Sequence, residues 1–240
     1  MNTNWMNEEA SNLFDQYDDY LEDRLGYTPL IENLKESLGQ NVSVLDYGCG
    51  GGKVSRRLIA GGIKTVTGVD ISQTMVDKAA SNINRGNSSY HQITTDVLNF
   101  NDNTFDAAIC CYVFVTNSEK SDLLKIAKEV HRTLKPGGIF YVLDTNPDSC
   151  GIKFKSFMSG DLNKKYNDGE IKPVYLELSN GTIFKISDTH WHKDTYYQIL
   201  NEAGFKTIEL FEHNDADALE DTGDLRCYPP FAMFKARLNV

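Results

Sequence analysis

The sequence predicts an α/β fold with a doubly wound, mostly parallel sheet of seven strands. Three observations predict it: short apolar runs alternate with amphipathic helical segments, the runs between residues 42 and 144 are apolar on both faces, and a glycine-rich turn follows the first of them. Strands that are apolar on both faces occur in parallel sheets that helices cover on both sides. No repeat, low-complexity tract or linker interrupts the 240 residues, so we expect a single domain.

The regular elements follow one another in a simple order. The helical spacing of apolar residues predicts a helix from Ser11 to Leu25, ended by Gly26, and a second short helix through Leu38. The next predicted elements are strands at 42–48, 65–71, 91–97, 105–115 and 139–144, with helices at 53–60, 73–85 and 121–134. Ser72 is the expected N-cap of the helix that starts at residue 73.

The last third of the chain is less regular. Two alternating runs within 173–187 surround Asn180-Gly181, which predicts a β-hairpin. A helix at 194–204 and strands at 205–213 and 229–238 complete the chain. Because residues 145–192 interrupt the alternation of strands and helices, we expect them to form an insertion that acts as a lid.

Composition and charge limit the partners. The net charge of −10 repels phosphate backbones, so no nucleic acid is expected. No secretory signal opens the sequence, and no apolar run approaches the roughly 20 residues that cross a bilayer, so we expect no membrane and a cytoplasmic location. The five cysteines have no CxxC spacing, which favours buried thiols over disulfides or metal ligands.

The segment VLDYGCGGGK, residues 44–53, is the most informative motif. A strand leads into glycines at every second position and then into a helix. Glycine lets the backbone turn tightly around a ligand, at the sheet edge where doubly wound folds bind ligands. A nicotinamide dinucleotide fingerprint would need a third glycine where Lys53 stands, so that interpretation fails. Asp70, eighteen residues after Gly52, could accept both hydroxyls of a ribose; alternatively it is an acid at a helix N-terminus.

Five motifs occur in the order and approximate spacing of one family: VLDYGCGGG, GVDIS, TTDVLNF, FDAAICCYVF and LKPGGIFYVLD. The chain resembles the class I S-adenosylmethionine-dependent methyltransferases, strongly over 40–145 and more loosely over 194–240. The resemblance implies a Rossmann-like methyltransferase fold whose last strand runs antiparallel between strands five and six, and S-adenosyl-L-methionine as cofactor. The expected organisation is an N-terminal helical lid (1–40), a cofactor-binding half (41–145), the insertion with its hairpin (146–192), and a C-terminal helix with strands (193–240).

The resemblance also implies the cofactor-binding residues. The methionyl part would lie against Asp46, Gly48, Cys49, Gly50 and Gly52. The ribose would bind Asp70, the adenine would contact Ile71, Asp96 and Val97, and the methyl group would lie beside Cys111 and Tyr112. Tyr17 and Tyr20 of the N-terminal lid could close over the cofactor, since aromatic faces suit a sulfonium cation; alternatively they pack in the core.

His190 and His192, in the sequence SDTHWHKD, are the candidate catalytic bases. Histidine titrates near neutrality and could take a proton from a hydroxyl; alternatively both residues cap or pack the adjacent helix, with Trp191 as a surface anchor. Asp144 and Asn146 resemble part of a metal site found in catechol-type O-methyltransferases. That site also needs an acid at the end of the fourth strand, where this chain has Cys111 and Tyr112, so no metal is expected.

The leading functional hypothesis is methyl transfer to an oxygen or nitrogen atom of a small molecule. The helices at 11–38, the hairpin and the acidic loop at 214–228 would cover the acceptor, and that loop would favour a cationic or neutral molecule. Alternatively, the enzyme methylates tRNA or protein, or the chain is a non-catalytic S-adenosylmethionine-binding module. The expected assembly is a monomer or homodimer.

Overall fold

The computed structural model describes residue 3 and residues 16–82, 87–94, 97–215 and 228–239. Its ten strands are β1 (Ser43–Tyr47), β2 (Thr65–Asp70), β3 (Asn87–Gln92), β4 (Phe105–Cys111), β5 (Leu134–Thr145), β6 (Phe157–Ser159), β7 (Ile171–Glu177), β8 (Ile183–Thr189), β9 (Thr207–Phe211) and β10 (Phe231–Arg237). Four further helices follow the N-terminal helical segment in the described ranges: α2 (Lys53–Ala60), α3 (Gln73–Ser81), α4 (Lys120–Thr133) and α5 (Lys193–Glu202).

Seven of these strands form the main sheet, in the order β3-β2-β1-β4-β5-β10-β9. The strands from β3 to β5 pair in parallel, whereas β10 runs antiparallel to both β5 and β9. The predicted seven-stranded, mostly parallel sheet with an antiparallel last strand is confirmed. The strand order reverses between β1 and β4, which opens a crevice at their carboxyl ends, where sheets of this kind bind ligands.

Helices cover both faces of the sheet because alternate residues of the central strands are apolar. Val44 of β1 faces one layer, with Leu30 and Leu58 from the helices on that side. Leu45, the next residue, faces the other layer, with Val130 of α4. Each of these side chains is essentially inaccessible to solvent, and burying one contributes about 1.5–3 kcal/mol.

The N-terminal helix, α1, does not end at Gly26 as predicted. It is α-helical over Tyr20–Glu22 and Thr28–Leu38, with a π-helical turn, Asp23–Tyr27, between them. A Cβ on Gly26 would lie 3.1 Å from Leu143 Cδ2. The glycine therefore serves close packing of α1 on the sheet, and the prediction of a helix end was wrong. The predicted start at Ser11 lies outside the described residues.

Two other boundaries differ from the prediction. Strand β3 covers Asn87–Gln92, whereas the sequence indicated 91–97. This edge strand is polar and largely exposed, so it lacks the apolar signal on which the prediction depended. Strand β4 stops at Cys111, and a 3₁₀ turn, Phe114–Thr116, takes up the apolar residues that follow.

The insertion contains a second, three-stranded antiparallel sheet in the order β6-β7-β8. The predicted hairpin is confirmed: Gly181 has φ +78°, and Asn180 Oδ1 accepts a hydrogen bond of 2.9 Å from the Thr182 amide. The short strand β6 was not predicted. No helix in the described ranges is long and apolar enough to cross a membrane.

Candidate active site

The glycine loop between β1 and α2 turns back on β2. The amides of Gly48 and Cys49 both donate to the carbonyl of Val69, at 2.8 and 2.9 Å. Gly48 has φ +75°, and a Cβ there would lie 2.3 Å from Val113 Cγ2. Gly50 has φ +50°, but a Cβ there would meet no described atom within 4 Å. At position 48, glycine is therefore needed for close packing against Val113. At position 50, the missing side chain leaves open space.

Asp70 ties this loop to the start of α3. Its Oδ2 accepts a hydrogen bond of 2.8 Å from the Gly50 amide, and its Oδ1 accepts one of 2.9 Å from the Ser72 amide. Burial raises the pKa of the carboxyl. The Ile71 amide also interacts with this carboxylate. The two oxygens have four lone pairs between them, so at least one position is left for a further donor. The predicted N-cap is also confirmed, since Ser72 Oγ accepts from the Met75 amide at 3.4 Å.

The two apolar side chains predicted to contact the adenine are accessible. Ile71, directly after Asp70, is 57% exposed, and Val97, after β3, is 64% exposed. Both can therefore make apolar contacts with a ligand. Asp96, the predicted adenine-binding acid, lies outside the described residues.

Asp46 lies beneath the loop. It is buried, and its Oδ2 accepts a hydrogen bond of 2.6 Å from Ser55 Oγ. Burial raises its pKa to about 6. Cys49 is buried, and Cys111 is half-buried at the end of β4. Burial raises the pKa of both thiols, so both are protonated near neutral pH.

The two tyrosines predicted for the lid have different environments. Tyr17 is buried, and its hydroxyl lies 2.7 Å from Glu22 Oε1 and 3.0 Å from Ser156 Oγ. Tyr20 is 56% exposed, and its hydroxyl accepts a hydrogen bond of 3.0 Å from Arg24. Tyr17 therefore faces the interior, whereas Tyr20 lies on the outer surface of α1.

Ion pairs connect α1 to the helix that follows the glycine loop. Arg57 of α2 lies 2.7 Å from Asp23 and 3.1 Å from Asp19, and Lys53 lies 3.2 Å from Asp19. The Arg57 guanidinium also lies over the ring of Tyr27, 5.2 Å from its centroid. Since both helices carry residues of this network, α1 is fixed over the carboxyl edge of the sheet.

Sequence analysis did not identify Glu22. It is only 7% exposed, and burial raises its pKa to about 7. Its Oε2 and the hydroxyl of Tyr112 are both buried without a hydrogen-bond partner among the described residues. Tyr112 follows β4 directly and has φ +58°, a conformation that costs free energy for a residue with a Cβ and that concentrates at functional sites. The one available signal was an acid between the apolar positions Leu21 and Leu25.

Comparisons with known proteins identify the family. A family model described as a methyltransferase domain matches residues 44–138. The chain is 31% identical over 171 residues to the N-demethylindolmycin N-methyltransferase of Streptomyces griseus, which covers 71% of each chain. It is 30% identical over 158 residues to the demethylmenaquinone methyltransferase of Staphylococcus haemolyticus, covering 60% of this chain and 59% of the relative. The chain belongs to the class I S-adenosylmethionine-dependent methyltransferases.

A solved structure shares the fold of this methyltransferase. The S-adenosylmethionine-dependent methyltransferase of Clostridium acetobutylicum matches it with a TM-score of 0.64, over 95% of this chain and 99% of the other, at 18% identity. At that identity the match concerns the fold alone.

The family uses S-adenosylmethionine, and the residues at the crevice fit this cofactor. Gly50 borders open space, Asp70 can accept a further hydrogen bond, and the exposed side chains of Ile71 and Val97 suit an apolar ring. In the methyltransferase, Gly50 would lie beside the methionyl part of the cofactor and Asp70 would bind the ribose. Ile71 and Val97 would contact the adenine. Their individual roles, like those of Asp46 and Cys111, remain predictions.

The two predicted bases of the methyltransferase lie where the insertion meets α5. His190 is buried, with Nδ1 3.6 Å from Cys150 Sγ, and burial together with Lys172 lowers its pKa to about 4. His192 has an exposed side chain that lies 3.0 Å from Asp168 Oδ1. Trp191 is buried and donates to the Phe114 and Asn117 carbonyls, so its predicted role as a surface anchor was wrong. Catalysis by either histidine remains a prediction.

A second group of buried ionisable side chains lies between β5 and the insertion. Asp144 accepts a hydrogen bond of 3.0 Å from the Tyr196 hydroxyl, and burial raises its pKa. Lys172 is buried and donates to Ser159 Oγ at 2.6 Å and to Thr145 Oγ1 at 3.2 Å. These contacts join β7 to the end of β5, which anchors the insertion on the main sheet.

Proposed function

We propose that this methyltransferase transfers the methyl group of S-adenosylmethionine to an oxygen or nitrogen atom of a small-molecule metabolite. The observation that carries the proposal is a cavity of about 520 Å³ between the start of α1 and the β7–β8 turn. Ligand pockets for small molecules range from about 300 to 1,000 Å³. The described lining residues are Gln16, Tyr17, Asp18, Asp19, Lys53, Leu178, Ser179 and Asn180.

The position of this cavity suits an acceptor site. Lys53 directly follows Gly52, so the cavity adjoins the glycine loop. Tyr17 belongs to the cavity wall and also bonds Glu22 in the interior. The two segments that border the cavity are the lids predicted from the sequence. They border the cavity from two sides, and segments in such a position can help to exclude water once an acceptor is bound.

The chemistry places modest demands on the protein. S-adenosylmethionine supplies a methyl group on a positively charged sulfur, which is already reactive. The protein has to hold the acceptor in line and keep water out. The Cys111 thiol does not compete as a nucleophile, because burial raises its pKa and only the thiolate is reactive.

The acceptor atom decides whether a strong base is needed. A hydroxyl has to lose its proton as it reacts, whereas a neutral amine reacts through its lone pair. For a hydroxyl, His190 and His192 are the proposed bases, and the low pKa of His190 makes it the weaker candidate. The name of the Streptomyces griseus relative, an N-methyltransferase, supports a nitrogen acceptor.

A labelled-methyl assay tests the proposal. The protein is incubated with methyl-labelled S-adenosylmethionine and, separately, with pooled small amines and alcohols, total tRNA and a protein extract. We expect label in the small-molecule pools, and less of it at limiting cofactor when Asp70 is replaced by alanine. Label confined to tRNA or protein would overturn the proposal. Cofactor binding by calorimetry without any methyl transfer would favour the non-catalytic binding module instead.

A further inference from the structure

Two polar atoms where α1 meets the end of β4 have no partners among the described residues. They are Glu22 Oε2 and the Tyr112 hydroxyl, and each is buried without a hydrogen-bond partner in the described part of the chain. Buried polar atoms almost always have a partner, and a buried carboxyl with an unused oxygen is particularly unfavourable. Such a pair is expected where a ligand completes the hydrogen bonds.

The position of Glu22 relates it to the crevice between β1 and β4. Its carboxyl interacts electrostatically with Lys53, which follows the glycine loop, and with Tyr112, which follows β4. It therefore lies within reach of both sides of the crevice. The π-helical turn and Gly26 bring α1 close to this edge, since a Cβ on Gly26 would lie 3.6 Å from the Tyr112 hydroxyl.

Aromatic rings dominate the surroundings of these two atoms. Tyr112 packs edge-on against Tyr27, with ring centroids 6.1 Å apart, and against Phe231 at 5.8 Å. Phe231 in turn stacks on Phe157 at 5.5 Å. The two polar atoms thus lie at the edge of buried aromatic packing, and such surroundings suit an acceptor with one polar group on an apolar or aromatic body.

We propose that Glu22 is a catalytic residue that binds a primary or secondary amine as the methyl acceptor. Oε2 accepts the hydrogen bond of the acceptor N–H, and the Tyr112 hydroxyl contacts the same end of the molecule. The lone pair of the acceptor nitrogen forms the bond to the methyl carbon as the carbon–sulfur bond breaks, with its electron pair going to sulfur. The N–H proton then passes to Glu22 Oε2. The proposal rests on the proposed function and adds the class of acceptor to it.

The titratable groups around Glu22 favour an amine over an alcohol. Burial raises the pKa of Glu22 to about 7, so its carboxylate can take up the proton that a methylated amine releases. An amine needs no ionisation before it reacts, whereas an alcohol has to lose its proton as it reacts. Burial also keeps the three neighbouring phenols protonated, since it raises the pKa values of Tyr17, Tyr27 and Tyr112. Among the charged residues, Asp19 raises and Lys53 lowers the pKa of Glu22. Glu22 is thus the group of this cluster that can take up a proton near neutral pH.

The test compares Glu22→Gln with Glu32→Gln, a matched change at an exposed position of the same helix. Labelled-methyl transfer is measured on a broad panel of acceptors. The panel includes pairs of an amine and the corresponding alcohol, such as tryptamine with tryptophol and benzylamine with benzyl alcohol. We expect wild type and Glu32→Gln to methylate amines in preference to alcohols. Glu22→Gln should lower amine turnover by roughly 100-fold or more, and Glu22→Asp should recover part of it. Affinity for S-adenosylmethionine and S-adenosylhomocysteine, measured by calorimetry, should change little.

A second readout does not depend on turnover. Carbon-13 labelled glutamate reports the Glu22 carboxyl, whose signal is identified by its loss in Glu22→Gln. In the complex with S-adenosylhomocysteine, an amine that is a substrate should lower the titration midpoint of this signal, and the matched alcohol should not. Tyr112→Phe, which removes a hydroxyl without a described partner, should raise KM for the amine and leave the fold intact.

Each failure has a distinct signature. Three outcomes would overturn the role of Glu22 while leaving the proposed function in place. They are small-molecule methylation with full amine turnover in Glu22→Gln, a preference for alcohols, and a Glu22 titration midpoint that a substrate amine does not change. A Glu22→Gln variant that loses S-adenosylmethionine affinity but keeps S-adenosylhomocysteine affinity would assign Glu22 to the sulfonium instead. Label found only in tRNA or protein would overturn the proposed function itself.

Discussion

Replacing Glu22 by glutamine should change how stability depends on pH. Burial raises the pKa of this carboxyl from 4.5 to about 7 in the folded protein. Between these values the folded state holds a proton that the unfolded state has released, so the stabilisation is complete below pH 4.5 and is lost as the pH rises through about 7. Glutamine is neutral at every pH, and Glu22→Gln therefore removes this loss.

The size of the effect follows from the same two pKa values. Linkage gives a loss of about 2–3 kcal/mol in the wild type between about pH 5 and pH 8 from this group alone. The buried amide of the variant adds a cost of about 1–3 kcal/mol where it lacks a partner, but this cost is the same at both pH values. The raised pKa values of Asp46 and Asp188 affect wild type and variant alike. The difference between the two pH values therefore isolates Glu22.

Urea unfolding of both proteins at about pH 5 and about pH 8 measures this quantity. The free energy of unfolding of Glu22→Gln minus that of wild type should be about 2–3 kcal/mol larger at the higher pH, which means that the variant gains relative stability there. Glu32→Gln, at an exposed position of the same helix, should show no such difference. An equal effect of Glu22→Gln at both pH values would show that the carboxyl titrates normally and that its burial in α1 is described wrongly.

Three further predictions concern the cofactor loop and the candidate bases. Gly50→Ala and Gly39→Ala should each cost about 1–2 kcal/mol of stability, because both positions have positive φ and open space around the missing Cβ. Only Gly50→Ala should also weaken cofactor binding, by about tenfold or more in calorimetry. Equal cofactor binding by the two variants would contradict the loop assignment. Asp70→Ala should weaken S-adenosylmethionine binding by about 1–3 kcal/mol, so unchanged affinity would remove its ribose role. His190→Ala and His192→Ala should keep near-normal turnover on an amine acceptor, whereas a large loss would return the base to these residues.

The cofactor half was predictable because its constraints are local in the sequence. Strands β1, β4 and β5 are apolar on both faces, which is visible in any short window. The loop needs glycine at positions with φ of +75° and +50°, and few other residues adopt those values. Asp70 follows its strand at a fixed distance from the loop. Each signal therefore appears within a few residues of the feature that it predicts.

The acceptor side could not be predicted in this way because distant segments build it. Glu22 is on α1, Ser156 precedes β6 and Tyr112 follows β4. The bonds of Tyr17 to Glu22 and Ser156 span 5 and 139 positions. Within its own segment, Glu22 is an ordinary acid on an amphipathic helix. The two histidines were predicted from their residue type, which carries no information on burial. Burial next to Lys172 lowers the pKa of His190, and catalysis by either histidine stays a prediction.

The structural features on the acceptor side reduce stability, and this relates them to function. Tyr112 has a strained backbone, α1 contains a π-helical turn, and Glu22 is buried with an unused oxygen. Strain of this kind persists only where the surrounding structure over-determines it. Here the surroundings are the apolar layers of the sheet and the ion pairs of Arg57 with Asp19 and Asp23. Variants that relieve the strain should therefore be more stable near neutral pH and less active, and this joint outcome is one that a purely structural role for Glu22 does not predict.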